Sequence, residues 1–199
     1  MKKAIITQRI YHYEPYNELW ECLDSRLYEF LLSCGIVGFG VSYKQIQYID
    51  RLFDNADMLV LSGGNDIGVY PLRDDFEYAL ITYALKHHKK IFAICRGMQI
   101  LARYFDIALE SSTHDIGKIH RLEGALRHEV HSYHRFCIKR APQSCEILAR
   151  IGDEIEVFSN KQILALMWHP ERESDSVSIE SDKALLKEFV EFDFSNKEG

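Results

Sequence analysis

Lys90-Ile-Phe-Ala-Ile-Cys-Arg-Gly-Met-Gln-Ile-Leu-Ala-Arg-Tyr104 is the stretch that decides the fold. Five residues of buried-strand type run into Cys95, Arg96-Gly97 makes a tight turn, and a helix follows over about residues 97–104. Strand, sharp turn and helix start in that order form a nucleophile elbow. Such a turn holds a thiol above the sheet edge, the helix dipole favours the sulfur anion, and backbone N–H groups at the helix start can bind a developing oxyanion. Gly97 allows close backbone packing there. An arbitrary cysteine is more often a small core residue. Its place at a strand-to-helix turn is what argues for Cys95 as a nucleophile.

The flanking text agrees with an α/β chain. Residues 3–7 read as a first strand, and 16–33 as a helix with Leu19, Leu23, Leu27, Phe30 and Leu31 at helical spacing, ended by Cys34-Gly35. Tyr11, Tyr13, Tyr16 and Trp20 are expected to pack at that helix rather than to stack bases. Residues 37–41 read as a strand, 45–53 as a short helix, and 57–62 as a buried strand running into Gly63-Gly64. Asp74 with Glu77 three positions on reads as a capping box for a helix through residue 86. The text over 109–167 is more strand-like, and 182–192 closes the chain as a helix. This alternation predicts a mainly parallel central sheet with helices on both faces. With no repeat, low-complexity tract or linker, residues 1–199 are expected to form one domain.

Composition excludes several classes. A chain of 199 residues that is 47% hydrophobic can bury a full core. Its 24 Lys and Arg against 30 Asp and Glu, a net charge of -6, give no broad positive field for nucleic acid. There is no apolar run of about 18 residues for a membrane span. The apolar N-terminal run is broken by Thr7, Gln8 and Arg9, too early for a signal peptide, so a cytoplasmic location is expected. Cys22, Cys34, Cys95, Cys137 and Cys145 are an odd set without CxxC spacing, which suggests neither a disulfide framework nor a thiolate zinc site. His128, His131 and His134 lack an accompanying acidic ligand set, so no metal or other cofactor is expected.

A second chemical segment is Ala165-Leu-Met-Trp-His-Pro-Glu171. A strand ends in His169, Pro170 stiffens the turn, and Glu171 is placed to orient an imidazole. Alone a His-Pro-Glu tripeptide is weak, because His-x-Glu after a strand is more often an exposed turn. With Cys95 it completes a Cys-His-Glu set.

Cys95-Arg-Gly-Met-Gln99, Ser62-Gly-Gly-Asn-Asp66, Arg73-Asp-Asp-Phe-Glu77, Ser132-Tyr-His134 and Trp168-His-Pro-Glu171 occur in the order seen in class I glutamine amidotransferases. Over roughly residues 55–172 the chain resembles that superfamily, and within it the γ-glutamyl hydrolase (peptidase C26-like) branch. The resemblance implies a flavodoxin-like α/β fold and hydrolysis of a γ-glutamyl amide through a thioester. In that scheme Cys95 attacks the γ-carbonyl, His169 moves the proton and Glu171 orients His169. The N–H groups of Gly64 and Arg96 form the oxyanion hole. Gln99, Asn65 and the Ser132-Tyr133-His134 segment hold the glutamyl end. The chain reads His134-Arg135 where that branch often has His-Gln. Arg135, with Arg73, Arg121 and Arg172, is therefore a candidate for pairing with a phosphorylated leaving group; taken singly, each is an ordinary surface arginine.

Three functions compete at this level. In the first, a stand-alone enzyme hydrolyses a γ-glutamyl amide of a small metabolite. In its short chain and Cys-Arg-Gly-Met-Gln form the sequence resembles bacterial hydrolases of the γ-glutamyl-CDP-amidate type. That resemblance, with Arg135 as its one support in the residues, implies a nucleotide-linked substrate with glutamate and CDP-amidate as products used in capsular polysaccharide modification. In the second, the chain is a glutaminase subunit that passes ammonia to a separate synthase. In the third, the site is inert and the protein is a binding module, which the intact Cys95, His169 and Glu171 argue against.

Overall fold

A computed structural model of the chain describes residues 1–114 and 116–192. Its centre is an eight-stranded sheet. Five parallel strands form one side, in the order β4 (Ile36–Val41), β1 (Lys2–Thr7), β5 (Met58–Leu61), β6 (Lys90–Ile94) and β14 (Ile163–Leu166). Antiparallel β13 (Glu154–Ser159), β12 (Glu146–Ile151) and β9 (Glu123–Gly124) extend it on the far edge. Three two-stranded ribbons complete the strands: β2 (Arg9–Tyr13) with β3 (Glu18–Cys22), β7 (Glu110–Ser111) with β11 (Phe136–Cys137), and β8 (Ile119–Arg121) with β10 (Glu129–His131).

The near-continuous apolar strands serve two faces at once, as expected for a sheet covered on both sides. Alternate residues divide between two cores. Ala4, Ile6, Met58, Val60, Phe92, Ile94, Leu164 and Leu166 pack under α1 (Ser25–Ser33) and α5 (Ser176–Glu191). Ile5, Leu59, Leu61, Ile91, Ala93, Ile163 and Ala165 face α2 (Ile49–Phe53), α3 (Pro71–Lys86) and α4 (Arg96–Tyr104). Each fully buried aliphatic side chain contributes about 1.5–3 kcal/mol. The parallel strands all end on one edge, and β5, β6 and β14 lie side by side there. Ser62-Gly63-Gly64, Cys95 and His169 therefore converge although they are far apart in sequence. Ligands in open α/β sheets bind outside this carboxyl edge.

Two expectations are corrected. The helix expected over 16–33 is present only from Ser25. Residues 9–22 form a hairpin, in which Arg9-Ile-Tyr-His-Tyr13 pairs antiparallel with Glu18-Leu-Trp-Glu-Cys22 across a turn where Asn17 takes the left-handed φ of 50°. Tyr11, Tyr16 and Trp20 are accordingly exposed on the hairpin and do not pack at α1. The second correction concerns the capping box. α3 starts at Pro71, so Asp74 lies within its first turn, and both Asp74 and Glu77 are buried. The Asp-x-x-Glu spacing that suits a cap also places two carboxylates on one helix face; here that face meets Arg96.

Candidate active site

Cys95 is a strained elbow. Its φ of 51° and ψ of -108° lie where a non-glycine residue costs roughly 1–3 kcal/mol. The bond from Cys95 N to Leu166 O (2.8 Å) and the first α4 bond, Gln99 N to Cys95 O (3.1 Å), hold the turn from both sides. The helix N–H groups of Arg96 onward point to the same edge, where a helix leaves its first donors without intrahelical partners. Gly97 permits the turn to press on β5, since a Cβ there would collide with the carbonyl oxygen of Leu61.

His169 follows β14 and is 4% exposed. Its Nδ1 lies 2.7 Å from Oε1 of Glu171 in the short helical turn Pro170–Arg172. Burial works against the imidazolium, but the Cys95 sulfur and the Glu171 carboxylate outweigh it and raise the His169 pKa to about 9. Trp168, just before it, is fully buried and donates its indole N–H to Asp182 of α5 at 3.0 Å. The other Asp182 oxygen is 3.0 Å from Nε2 of His128. The main chain leading into His169 is thus pinned to the far core. On the open side the Tyr133 ring stands edge-on to His169 at 6.0 Å, and the Arg172 guanidinium lies 5.5 Å from the Tyr133 ring centre.

A buried ionic network fixes the two backbone segments flanking the elbow, and the sequence reading missed it. Arg96 makes very short pairs with Asp74 and Glu77. Glu77 also accepts from Arg73 Nε at 3.1 Å. Arg73 in turn donates to the carbonyl oxygens of Ser62 (3.3 Å) and Gly63 (3.2 Å) and to Oδ1 of Asn65 (3.2 Å). The chain of contacts runs from the residue after the nucleophile to the loop carrying Gly64. Gly64 has φ 136°, and a Cβ on it would come within 2.6 Å of Arg9 Cβ and 2.9 Å of Arg73 Nη1. On Gly63 a Cβ would reach to 2.5 Å from Cε1 of His169. Both glycines are required by close approach.

Asn65 spends its amide on the Ile10 backbone, accepting from N and donating to O at 2.9 Å each, and on Arg73. Its side chain joins the hairpin to the loop rather than reaching outward. Gln99 is buried beneath the elbow and donates to Phe136 O at 3.0 Å. Ser132 is buried with an unpartnered hydroxyl, and Tyr133 is partly exposed. His134 is buried against Glu156, with Nε2 3.6 Å from its Oε1. Among the arginines, Arg73 is 1% exposed within the ionic network, which removes it as a phosphate contact. Arg135 is exposed and pairs with Asp66 at 2.7 Å. Arg121 borders a hollow with Glu123 and Arg127. Arg172 has Nε 3.8 Å from Asp24 and 3.7 Å from Glu171.

Beside the pair His169–Glu171 is a cavity of about 20 Å³, lined also by Ser62, Gly63, Arg9, Cys22, Asp24 and Arg172. Two hollows of about 680 and 650 Å³ lie elsewhere and include no residue of the Cys95, His169 and Glu171 set. The chemistry, not the volume, marks the site. No group of three or more His, Cys, Asp or Glu able to hold a metal occurs among the described residues. No described helix is long and apolar enough to cross a membrane.

Comparison with known proteins agrees with this architecture. The family model described as glutamine amidotransferase class-I matches residues 14–191. The chain is 30% identical over 197 residues to the γ-glutamyl-CDP-amidate hydrolase of Campylobacter jejuni, covering 92% of this chain and 95% of that one. It is 29% identical to protein NtpR of Enterococcus hirae, over 72% of this chain and 76% of that one. Among solved structures, a glutamine amidotransferase from Thermotoga maritima superposes with a TM-score of 0.66 at 18% identity, over 94% of this chain and 84% of the other. A Thermoplasma acidophilum protein described as a putative GMP synthase component gives 0.70 at 20%, over 96% and 92%. These likenesses establish the shared fold. The chain belongs to the class-I glutamine amidotransferase family.

Proposed function

We propose that the protein hydrolyses a γ-glutamyl amide, with Cys95 as nucleophile, His169 as acid and base, and Glu171 as the group that orients and charges His169. The observation that supports this most is the 2.7 Å contact of Glu171 with His169 beside a strained cysteine elbow. Attack of the Cys95 sulfur on the γ-carbonyl carbon forms a C–S bond and puts negative charge on the oxygen. The N–H groups of Gly64 and Arg96 take that charge, and one donor of this kind lowers the barrier by about 3 kcal/mol. The C–N bond then breaks as His169 gives its proton to the departing nitrogen. A water, losing its proton to His169, attacks the thioester and frees glutamate together with the Cys95 thiol. Gln99, Ser132 and Tyr133 hold the glutamyl end.

The substrate favoured is a γ-glutamyl nucleotide phosphoramidate of the γ-glutamyl-CDP-amidate type, with a role in capsular polysaccharide modification. Its support is the similarity to the Campylobacter jejuni hydrolase over nearly the full length of both chains. Turnover of such a compound by the protein alone, followed as released glutamate, tests the reading. Release from no γ-glutamyl amide would remove it.

A further inference from the structure

One face of the β2–β3 hairpin runs from the catalytic cavity out to solvent. Arg9 is opposite Cys22, and Tyr11 is opposite Trp20. Alternation along paired strands places these four and Tyr13 on the same face. At its inner end the reverse face is turned to the body, where Ile10 is buried and Glu21 accepts from Tyr43 N at 3.0 Å; farther out, His12 and Leu19 on that face are exposed. At the inner end Arg9 and Cys22 line the cavity with His169 and Glu171. Farther out, the Tyr13 and Trp20 rings are 5.0 Å apart and the Tyr11 and Trp20 rings 6.4 Å apart. Glu18 holds the Trp20 indole at 2.7 Å.

This face carries Arg9 at its inner end and Glu18, whose carboxylate accepts from the Trp20 indole, at its outer end, and Asp24 and Arg172 line the cavity beside Arg9. Arg26 and Arg172 are both drawn to Asp24, Arg26 at 2.7 Å. Arg9 is exposed, and among the described residues no carboxylate or hydrogen-bond acceptor holds its guanidinium. An unpartnered cation at the catalytic end of an exposed aromatic row fits an anion joined to a flat apolar ring system. The hairpin is also tied to the loop carrying Gly64, through Asn65 and Ile10.

We propose that this strip binds the leaving group, with Arg9 on the phosphate next to the scissile amide and the Tyr11, Tyr13 and Trp20 rings stacking the nucleobase. The assignment rests on the γ-glutamyl amide hydrolysis proposed above and names the class of its leaving group, a nucleoside diphosphate linked through its terminal phosphate. Guanidinium pairs with phosphate through two parallel hydrogen bonds. Aromatic side chains stack on any base, so the strip selects a nucleotide without reading its identity. A rise of roughly 3.3 Å per residue sets Tyr11 about 7 Å and Tyr13 about 13 Å from Arg9, a span that accommodates an extended diphosphate and ribose.

The test uses the whole chain, CDP as the probe of the strip, and two substrates. CDP should quench Trp20 fluorescence saturably, Trp20→Phe should remove the signal, and Arg9→Ala should weaken CDP binding at least tenfold. Arg9→Ala should also lower kcat/KM for a γ-glutamyl nucleotide phosphoramidate by roughly 10- to 100-fold, as loss of charge-assisted hydrogen bonds does. Its loss on a γ-glutamyl anilide should be at least tenfold smaller. Equal losses on both substrates would overturn the proposal. So would phosphoramidate turnover without any CDP effect on Trp20, or a Trp20 signal that follows protein concentration instead of CDP, which would mark a contact between copies. Saturable quenching in a protein that turns over no γ-glutamyl amide would leave the strip standing and remove the reaction.

Discussion

Arg96, the residue directly after the elbow cysteine, is locked onto Glu77, a carboxylate with no solvent exposure, and through it onto Arg73. Burial alone would raise the Glu77 pKa, but the Arg73 and Arg96 charges hold it below the usual carboxylate range. The network links the N–H-bearing backbone at Arg96 to the carbonyls of Ser62 and Gly63, so the two sides of the expected oxyanion hole are built on one ionic frame.

Removing one member of that frame should be costly. Glu77→Ala leaves two buried arginines short of a counter-charge, a class of change that costs about 3–5 kcal/mol. For a chain of this size that lowers Tm by roughly 6–20 °C. Calorimetry of the variant checks it; a Tm within a degree of the parent would show that the frame is dispensable.

The His169 value sets an alkaline limit. With His169 charged up to about pH 9, kcat/KM should fall above that pH as the proton for the departing nitrogen is lost. Glu171→Gln removes one of the charges that raise it, so the limb should move to lower pH while kcat drops. A limb at the same pH in both proteins would argue against the contact. The stabilising contribution of charged His169 has the same sign: full below its ordinary 6.5, lost as pH rises through about 9.

Labelling should be selective. Burial pushes the Cys137 thiol to about 12 and Cys145 to about 11, and raises Cys34. These three should stay protonated and unreactive. A glutamine-like electrophile should add to Cys95, with Cys22, which lines the cavity beside His169 and Glu171, as the one competitor to exclude by Cys22→Ser. An adduct found by mass spectrometry on Cys34, Cys137 or Cys145 instead would contradict the elbow assignment.

Glu156 predicts an unusual pH dependence of stability. Burial, with Glu154 nearby, raises it from 4.5 to about 8, so the folded chain holds an extra proton in that window and loses stability as pH rises. Burial lowers His134 from 6.5 to about 4, which acts in the opposite direction and only below 6.5. Between pH 6.5 and 8 the Glu156 contribution should cost about 2 kcal/mol. Glu156→Gln should show a smaller fall over that interval in urea unfolding; an equal fall would place the proton elsewhere.

The parallel strands and the Cys95 turn were legible because a buried strand leaves an unbroken apolar run and an elbow requires a strand, a turn and a helix in sequence. The hairpin was not. Leu19, Leu23 and Leu27 fall at helical spacing by coincidence, and the second strand, with Glu18, Leu19 and Trp20 all exposed, carries no two-residue alternation to set against it. Asp74 and Glu77 were misread for a related reason, since the spacing of a capping box is also that of two residues on one helix face. The Arg73–Glu77–Arg96 frame joins a helix to the elbow across the fold, and pairing of that kind leaves no local pattern in the chain.

Glutamate release by the purified protein alone, comparing glutamine with γ-glutamyl amides that include a nucleotide phosphoramidate, tests the central claim most directly. The account predicts rapid release from the phosphoramidate, little from glutamine, and loss of at least about a thousandfold in Cys95→Ala. Silence on every amide, or glutamine turnover that needs a second protein, would contradict it and assign the site to ammonia delivery.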